Sequence, residues 1–221
     1  MEEVDEAACA FIEATWHEGD PKLWCSDLMA ALHFYLPSSR RQLHGGWSLL
    51  KSWERAELPA RACPITCELL LGIAGALVEA GFWRDACLAV VAYHLMLRTG
   101  ELLTLQAQDL VFARDGRVTV VTLRETKGEK LKGAPESVIV EDVAIGRLLK
   151  LLAHSLQPGD ALLQCRREHW RLRWNQAVRQ LHLDDLGVKP YSLRRGGSTA
   201  FFRQHGSYDR TVEKGRWASL S

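Results

Sequence analysis

The stretch KPYSLRRGGSTAFFRQHGSYDRTVEKGRWAS, residues 189–219, carries the strongest signal in this 221-residue sequence. Ser192 is suited to cap a helix that places Arg194 and Arg195 in its first turn. Basic side chains in a first turn oppose the helix dipole, which is unfavourable unless an anion binds there. Backbone N–H groups of the same turn would add donors to a phosphate. The pattern indicates a phosphate site, although paired arginines also occur on ordinary protein surfaces.

Two glycines, Gly196 and Gly197, follow these arginines directly. Since glycine has no Cβ, it allows close approach to the helix at this point. We expect either another backbone segment or a DNA strand to lie against this turn.

A second basic motif lies in AYHLMLRTGELLTLQAQDL, residues 92–110. Arg98 comes at the end of an apolar helical pattern, so its guanidinium is expected to be partly buried. Glu101 follows three residues later and could hold Arg98 through a bidentate pair. The alternative is a purely structural salt bridge at a corner between two helices.

The hydrophobic periodicity is mainly helical and changes to a strand period only in the middle of the sequence. The segments VTVVTL (118–123) and SVIV (137–140) predict two strands, and VFA (111–113) predicts a third. The polar, glycine-containing segment at 125–135 would form the connecting hairpin. These features predict a mainly α (α+β) fold with a small antiparallel sheet.

Lys127 lies in this predicted hairpin, and a lysine there could reach a groove or a leaving oxygen as a mobile acid. Lys130 and Lys132 are placed equally well. A solvated loop lysine is the alternative.

Two prolines within residues 57–64 interrupt the helical pattern and predict a linker at 58–63. This divides the sequence into an acidic helical piece, residues 1–57, and a larger domain, residues 64–221. Buried helical positions are predicted for Trp24, Leu28, Ala31, Leu32 and Tyr35 in the first piece and for Tyr93 in the second.

The net charge of +1 conceals a strong asymmetry along the chain. Residues 1–20 contain seven acidic residues and no Lys or Arg, whereas residues 21–146 are balanced. Residues 147–221 contain fourteen Lys and Arg against six Asp and Glu, a net charge of +8. A basic C-terminal third suits a polyanionic partner, and a solvated basic face is the alternative.

Several classes of protein are not favoured by the sequence. No run of 18 uncharged apolar residues is present, so no membrane span is predicted, and the acidic start lacks the basic region of a secretory signal. The six scattered cysteines favour free thiols in a reducing compartment. Cys63 and Cys67 lack a second ligand pair at zinc-site spacing, so no metal site is expected.

Four motifs occur in the order and spacing found in tyrosine recombinases, the phage-integrase family. LRTGELLTL resembles the first-arginine box, TKG the catalytic-lysine turn, YSLRRGGSTAFF the second-arginine box, and GRWAS the His-or-Trp box. The resemblance covers about residues 64–221 and extends more weakly to 21–57, which is similar to the end of a helical core-binding domain. The amino-acid sequences of the last two boxes are similar to those of recombinase-like proteins of mobile elements in unicellular algae.

The resemblance implies a role for each matching residue. Arg98 and Arg194 would bind the oxygens of the scissile phosphate, and Lys127 would donate a proton to the leaving oxygen. Trp217 would occupy the His-or-Trp position beside the phosphate. Tyr191 stands where the family usually has a histidine, and a phenol is a poor base near neutral pH. Glu101 would support Arg98.

The resemblance also implies a nucleophilic tyrosine two to three helical turns after Trp217, and only four residues follow Trp217 here. Tyr208 precedes Trp217 and is interpreted as a loop or packing residue. The resemblance therefore implies a truncated or degenerate recombinase, inactive alone, or one completed by a tyrosine from another subunit.

Recombinase chemistry of this kind would need no metal or nucleotide cofactor, because the arginines stabilise the charge and the phosphotyrosine link retains the bond energy. The expected partner is duplex DNA, with a possible homo-oligomer on the DNA and no small-molecule substrate. The expected location is intracellular, and nuclear in a eukaryote. Two alternatives stay open: a non-enzymatic DNA-binding module, and a helical protein–protein adaptor without a DNA role.

Overall fold

Helices form most of the structure, a computed structural model in which residues 1–56, 62–124 and 136–217 are described. The chain folds as two compact units, Met1–Arg61 and Ala62–Ser221. The strands of the described residues form a single three-stranded antiparallel sheet within the second unit. The predicted fold class, mainly helical with a small antiparallel sheet, is confirmed.

The first unit contains three helices, α1 (Glu2–Glu18), α2 (Lys22–Tyr35) and α3 (His44–Ala56), and a short 3-10 turn at Pro37–Ser39. Its core consists of Ala8, Ile12, Cys25, Met29, Leu43, Leu50 and Trp53. The carboxylate of Asp5 in α1 accepts hydrogen bonds from the N–H groups of Gly45 and Gly46, at 2.8 and 2.9 Å. One acidic side chain of α1 therefore caps the start of α3.

The buried face of α2 differs from the one predicted. Tyr35 is 77 % exposed and Trp24 is also exposed, whereas Cys25 and Met29 are buried. Both sets have helical spacing, and the packing against α1 and α3 selects the second. The sequence pattern could not distinguish them because apolar residues surround most of this helix.

The second unit contains seven helices among the described residues, and its core is built around one of them. The helices are α4 (Cys67–Glu79), α5 (Trp83–His94), α6 (Thr99–Thr104), α7 (Val143–Ala153), α8 (Arg167–Gln180), α9 (Ser192–His205) and α10 (Tyr208–Gly215). Helix α5 packs against α4, α7 and α9. Its residues Leu88, Ala89, Val91 and Ala92 are buried, and so is the predicted core residue Tyr93. Helix α5 therefore supports the segment after it, which leads to Arg98.

The sheet consists of β1 (Leu110–Phe112), β2 (Thr119–Leu123) and β3 (Glu136–Val140), in that order. Val121 in the central strand lies opposite Leu110 on one side and Val138 on the other. All three strands lie within two residues of the predicted positions. The predicted hairpin tip at 125–135, with Lys127, Lys130 and Lys132, lies outside the described residues.

The predicted linker at 58–63 also lies mostly outside the described residues, and the assignment of residues 1–57 to a partial core-binding domain stays a prediction. Across 1–56, 62–124 and 136–217, none of the helices has both the length and the apolar character needed to span a bilayer.

Helix α9 packs on the preceding structure through the two glycines predicted to allow a close approach. A Cβ atom on Gly196 would lie 2.2 Å from the carbonyl oxygen of Ile65, and one on Gly197 would lie 2.0 Å from that of Tyr93. The neighbour is therefore protein backbone. This contact fixes the start of α9 beside the end of α5.

We expect Gly197→Ala to lower the free energy of unfolding by about 3 kcal/mol, because the added methyl group meets a backbone oxygen that cannot move aside. Gly75→Ala in α4 is the matched control, since a Cβ there meets no atom within 4 Å. That control should raise stability by roughly 0.5–1 kcal/mol. Urea unfolding followed by tryptophan fluorescence measures both. Equal stability of the two variants would contradict the close backbone contact.

Candidate functional site

The start of α9 differs in detail from the prediction. Ser192 is the first helical residue and is fully buried, and its hydroxyl accepts a hydrogen bond from the N–H group of Lys189 at 3.0 Å. It therefore stabilises the turn before the helix and does not cap the N–H groups of α9.

Arg194 points into the protein. Its side chain is almost fully buried, with the residue 1 % exposed. The Nη1 and Nη2 groups donate to the carbonyl oxygens of Met96 and Gly215, and the guanidinium lies 5.2 Å from the ring of Trp217. The sequence predicted a guanidinium facing a phosphate, whereas here two of its donor groups already bind backbone carbonyls.

Arg98 is more accessible, with 28 % of its side chain exposed. Its Nη1 donates to Oε1 of Glu101 at 2.5 Å, and its backbone N–H donates to Oε2 at 2.8 Å. The predicted pairing of Arg98 with Glu101 is present. It is not bidentate through the guanidinium, because the second carboxylate oxygen has other donors.

One of those donors is Arg216, which the sequence analysis did not single out. Its Nη2 donates to Oε2 of Glu101 at 2.7 Å, and its Nη1 donates to the carbonyl oxygen of Leu95 at 3.1 Å. Its own carbonyl oxygen accepts from Nη2 of Arg98 at 3.4 Å. Arg216 therefore contacts Arg98 and Glu101 together.

Arg216 also reaches the sheet. Its Nε lies 3.5 Å from Oε2 of Glu136, the first residue of β3. Three arginines and two carboxylates thus form one connected group, which we call the arginine cluster: Arg98, Arg194, Arg216, Glu101 and Glu136.

The arginine cluster has surplus positive charge. Burial, together with the nearby charges of Arg98 and Arg216, lowers the pKa of Arg194 to about 10. Burial also lowers the pKa of Arg216, and the charge of Glu101 opposes this shift. A site that crowds guanidinium groups with fewer carboxylates favours an anion, and a phosphate oxygen matches the geometry of arginine donors.

The other predicted site residues are placed as follows. Tyr191 directly precedes α9 and is about half exposed. Trp217 is partly exposed and packs over Gly215, where an added Cβ would lie 2.4 Å from the indole ring. Lys127 lies outside the described residues. The structure thus brings Arg98, Tyr191, Arg194 and Trp217 to one region, and their functional roles stay predictions.

A cavity of about 720 Å³ borders the arginine cluster, because Arg216 belongs to the cluster and also lines the cavity. Its other walls come from the end of α5, strand β3, and helices α9 and α10. Lys214 lies in this cavity with its Nζ 4.5 Å from the ring of Phe201, which stacks on His205. Arg216 therefore lies between the other members of the cluster and a cavity with polar and aromatic walls.

Comparisons with known proteins give matches in structure and none in sequence. No family model and no curated protein matches this sequence. Solved structures do match. The lambda integrase (75-356) dimer bound to a COC' core site has a TM-score of 0.65 and 14 % identity, over 97 % of this chain and 79 % of that one. The chain has the fold of a recombinase catalytic domain.

Two further recombinase structures share this fold. The Tn1549 transposon integrase (aa 82-397) in complex with circular intermediate DNA gives a TM-score of 0.64 and 11 % identity, covering 98 % of this chain and 78 % of that one. The XerH site-specific recombinase in its pre-cleavage complex with difH substrate gives a TM-score of 0.57 and 15 % identity, covering 87 % of this chain. This chain spans 64 % of the length of that XerH chain. Identities this low show the recombinase fold and leave activity as a separate question.

Glu101→Gln tests whether the buried carboxylate neutralises the arginine cluster. We expect the free energy of unfolding to fall by about 3 kcal/mol, because the buried guanidiniums lose their shared counter-charge. Added inorganic phosphate should stabilise this variant more than the unmodified chain, since an anion can replace the carboxylate. Thermal unfolding with and without phosphate measures both effects.

Glu79→Gln is the matched control, because Glu79 is exposed and its carboxylate accepts from the side chain of Gln180. Its stability should stay within about 0.5 kcal/mol of the unmodified chain at every phosphate concentration. An identical phosphate response for Glu101→Gln and the unmodified chain would contradict the assigned role of Glu101.

Proposed function

We propose that this chain binds duplex DNA through a phosphate site at the arginine cluster and acts in DNA strand exchange as a tyrosine recombinase. The observation that carries the proposal is the cluster itself, in which the guanidiniums of Arg98 and Arg216 share the buried carboxylate of Glu101 and the buried guanidinium of Arg194 adds a further positive charge nearby. The recombinase fold supports it, since the structures of that fold named above are DNA complexes.

The arginines differ in solvent exposure, and we assign them different roles for that reason. Arg98 has exposed surface, so we assign it the first contact with a non-bridging phosphate oxygen. Arg194 is buried and contributes fixed positive charge behind it, in a setting where charge is weakly screened. A direct contact between Arg194 and phosphate would require the ring of Trp217 to move from its position over the guanidinium.

Phosphodiester cleavage by a tyrosine builds negative charge on the phosphate oxygens in the transition state. Preorganised guanidiniums stabilise that charge without moving, and this is the catalytic task we assign to the cluster. Tyr191 can donate a hydrogen bond from its hydroxyl, and Lys127 remains the proposed proton donor to the leaving oxygen.

The described residues near the cluster do not supply the nucleophilic tyrosine. Tyr208 begins α10, and Arg216 follows the end of that helix, so about 12 Å of helix lies between their backbones. Tyr191 lies near Arg194 but occupies the position that the resemblance assigns to a histidine. We therefore propose that a tyrosine outside these 221 residues, or one from a second subunit on the DNA, attacks the phosphate.

The amino-acid sequences of the second-arginine box (YSLRRGGSTAFF) and the His-or-Trp box (GRWAS) favour a recombinase of a mobile element, similar to those of unicellular algae.

Arg98→Ala tests the phosphate contact. We expect duplex affinity to fall roughly tenfold at low salt, because one charge-assisted hydrogen bond to phosphate is lost. The slope of log K against log salt should become shallower by about 1. Fluorescence anisotropy of a labelled duplex at several salt concentrations measures both quantities.

Arg147→Ala, which removes an exposed arginine from α7, is the matched control and should change affinity far less than Arg98→Ala. Duplex binding that does not depend on salt, or no binding at all, would contradict the proposal and support a protein–protein adaptor.

The 221-residue chain alone should form no covalent adduct with a suicide duplex that carries a phosphorothiolated scissile site. The physical reason is that cleavage by this route needs a tyrosine in line with the phosphate, and losing it removes the covalent path itself. Denaturing electrophoresis followed by peptide mapping detects an adduct. An adduct at Tyr191 or Tyr208 would show that the nucleophile is already present and would overturn this prediction.

A further inference from the structure

Arg216 has a backbone conformation that is unusual for its side chain. Its φ is 55°, in the left-handed region, where glycine is favoured because a Cβ atom is crowded. Met96, whose carbonyl oxygen accepts from both Arg194 and Arg216, also has a positive φ of 50°. Strained backbone of this kind persists when the surrounding contacts hold it in place, and it is concentrated at functional sites.

The side chain of Arg216 explains why an arginine is kept at this position. It is 9 % exposed, and its donors reach the carbonyl oxygens of Leu95 and Met96 and the carboxylate of Glu101. A glycine would suit the backbone better but would leave these acceptors without that guanidinium. The contacts of this arginine therefore offset its unfavourable backbone conformation.

The contact with Glu101 has a consequence for Arg98. A carboxylate facing one arginine commonly takes two of its N–H donors in a bidentate pair. Here Arg216 binds Oε2, and the guanidinium of Arg98 reaches Oε1 alone through Nη1, while its Nη2 donates to the carbonyl oxygen of Arg216. The guanidinium of Arg98 thus makes only part of the contact that it could make with Glu101.

We propose that Arg216 is a positioning residue that occupies one oxygen of Glu101 and thereby leaves free for a phosphate oxygen those guanidinium N–H groups of Arg98 that bind neither Glu101 nor the carbonyl oxygen of Arg216. The inference rests on the proposed function and deepens it, because it names the residue that sets the phosphate affinity of Arg98. Without Arg216, Arg98 turns fully toward Glu101, and the site loses phosphate affinity even though Arg98 and Arg194 are both still present.

The test uses inorganic phosphate as the probe, with affinity measured by isothermal titration calorimetry on the whole 221-residue chain. The Arg98→Ala variant serves as the baseline, because it measures phosphate binding at other sites on the chain. Arg216→Gly suits the positive φ, so it relieves backbone strain. We expect it to lower phosphate affinity about tenfold, the effect of one lost charge-assisted hydrogen bond. Glu101→Gln added to Arg216→Gly should recover most of that loss, because it releases Arg98.

Two further variants separate positioning from charge. Arg210→Ala removes an exposed positive charge from α10 and should change affinity by about twofold or less, because exposed charges are screened. Arg216→Lys keeps the charge but cannot reach Glu101 and both backbone carbonyls together, so it should recover only part of the affinity. Affinity of Arg216→Gly equal to that of Arg210→Ala, or full recovery by Arg216→Lys, would overturn the inference.

Failure of Glu101→Gln to restore phosphate binding in the Arg216→Gly background would also overturn it, since Arg216 would then support the fold alone. So would phosphate binding by the unmodified chain no greater than that by Arg98→Ala. Duplex binding is measured separately on the same proteins. Phosphate results as expected without any duplex binding would reject the proposed function and leave the inference standing, whereas duplex binding with no dependence on Arg216 would reject the inference alone.

Discussion

The buried carboxylate of Glu101 is the interaction on which the site depends. It accepts the backbone N–H of Arg98 and one guanidinium nitrogen from each of Arg98 and Arg216. A buried charge is tolerated only where it is paired and hydrogen-bonded, so this carboxylate requires the arginines as much as they require it. The consequence is a group of charged side chains whose geometry is fixed by contacts within the protein.

Close packing of α9 on α5 brings the second arginine to this group. Gly196 and Gly197 allow the helix to meet the backbone at Ile65 and Tyr93, and the next turn back carries Arg194 beneath Trp217. Its guanidinium then serves the fold and the electrostatics together, because it joins the segment after α5 to the end of α10 while adding positive charge. A substitution of Arg194 would mix these two effects, which is why Arg98 is the cleaner probe of phosphate contact.

The fold persists at 11–15 % identity to the recombinases it resembles. Many different apolar side chains can satisfy the same core, provided that volume and pattern are kept. A functional site tolerates fewer substitutions than a core, because its chemistry needs particular groups at particular distances.

The sequence by itself determined the fold class, the three strands within two residues, and the pairing of Arg98 with Glu101. These follow from local periodicity and from partners a few residues apart. Only the tertiary structure decided that Arg194 is buried, that Tyr35 faces outward, and that Arg216 shares Glu101. Arg216 and Glu101 lie 115 residues apart in the sequence, and a pattern of neighbours holds no information on contacts that exist only once α10, α6 and β3 have packed together.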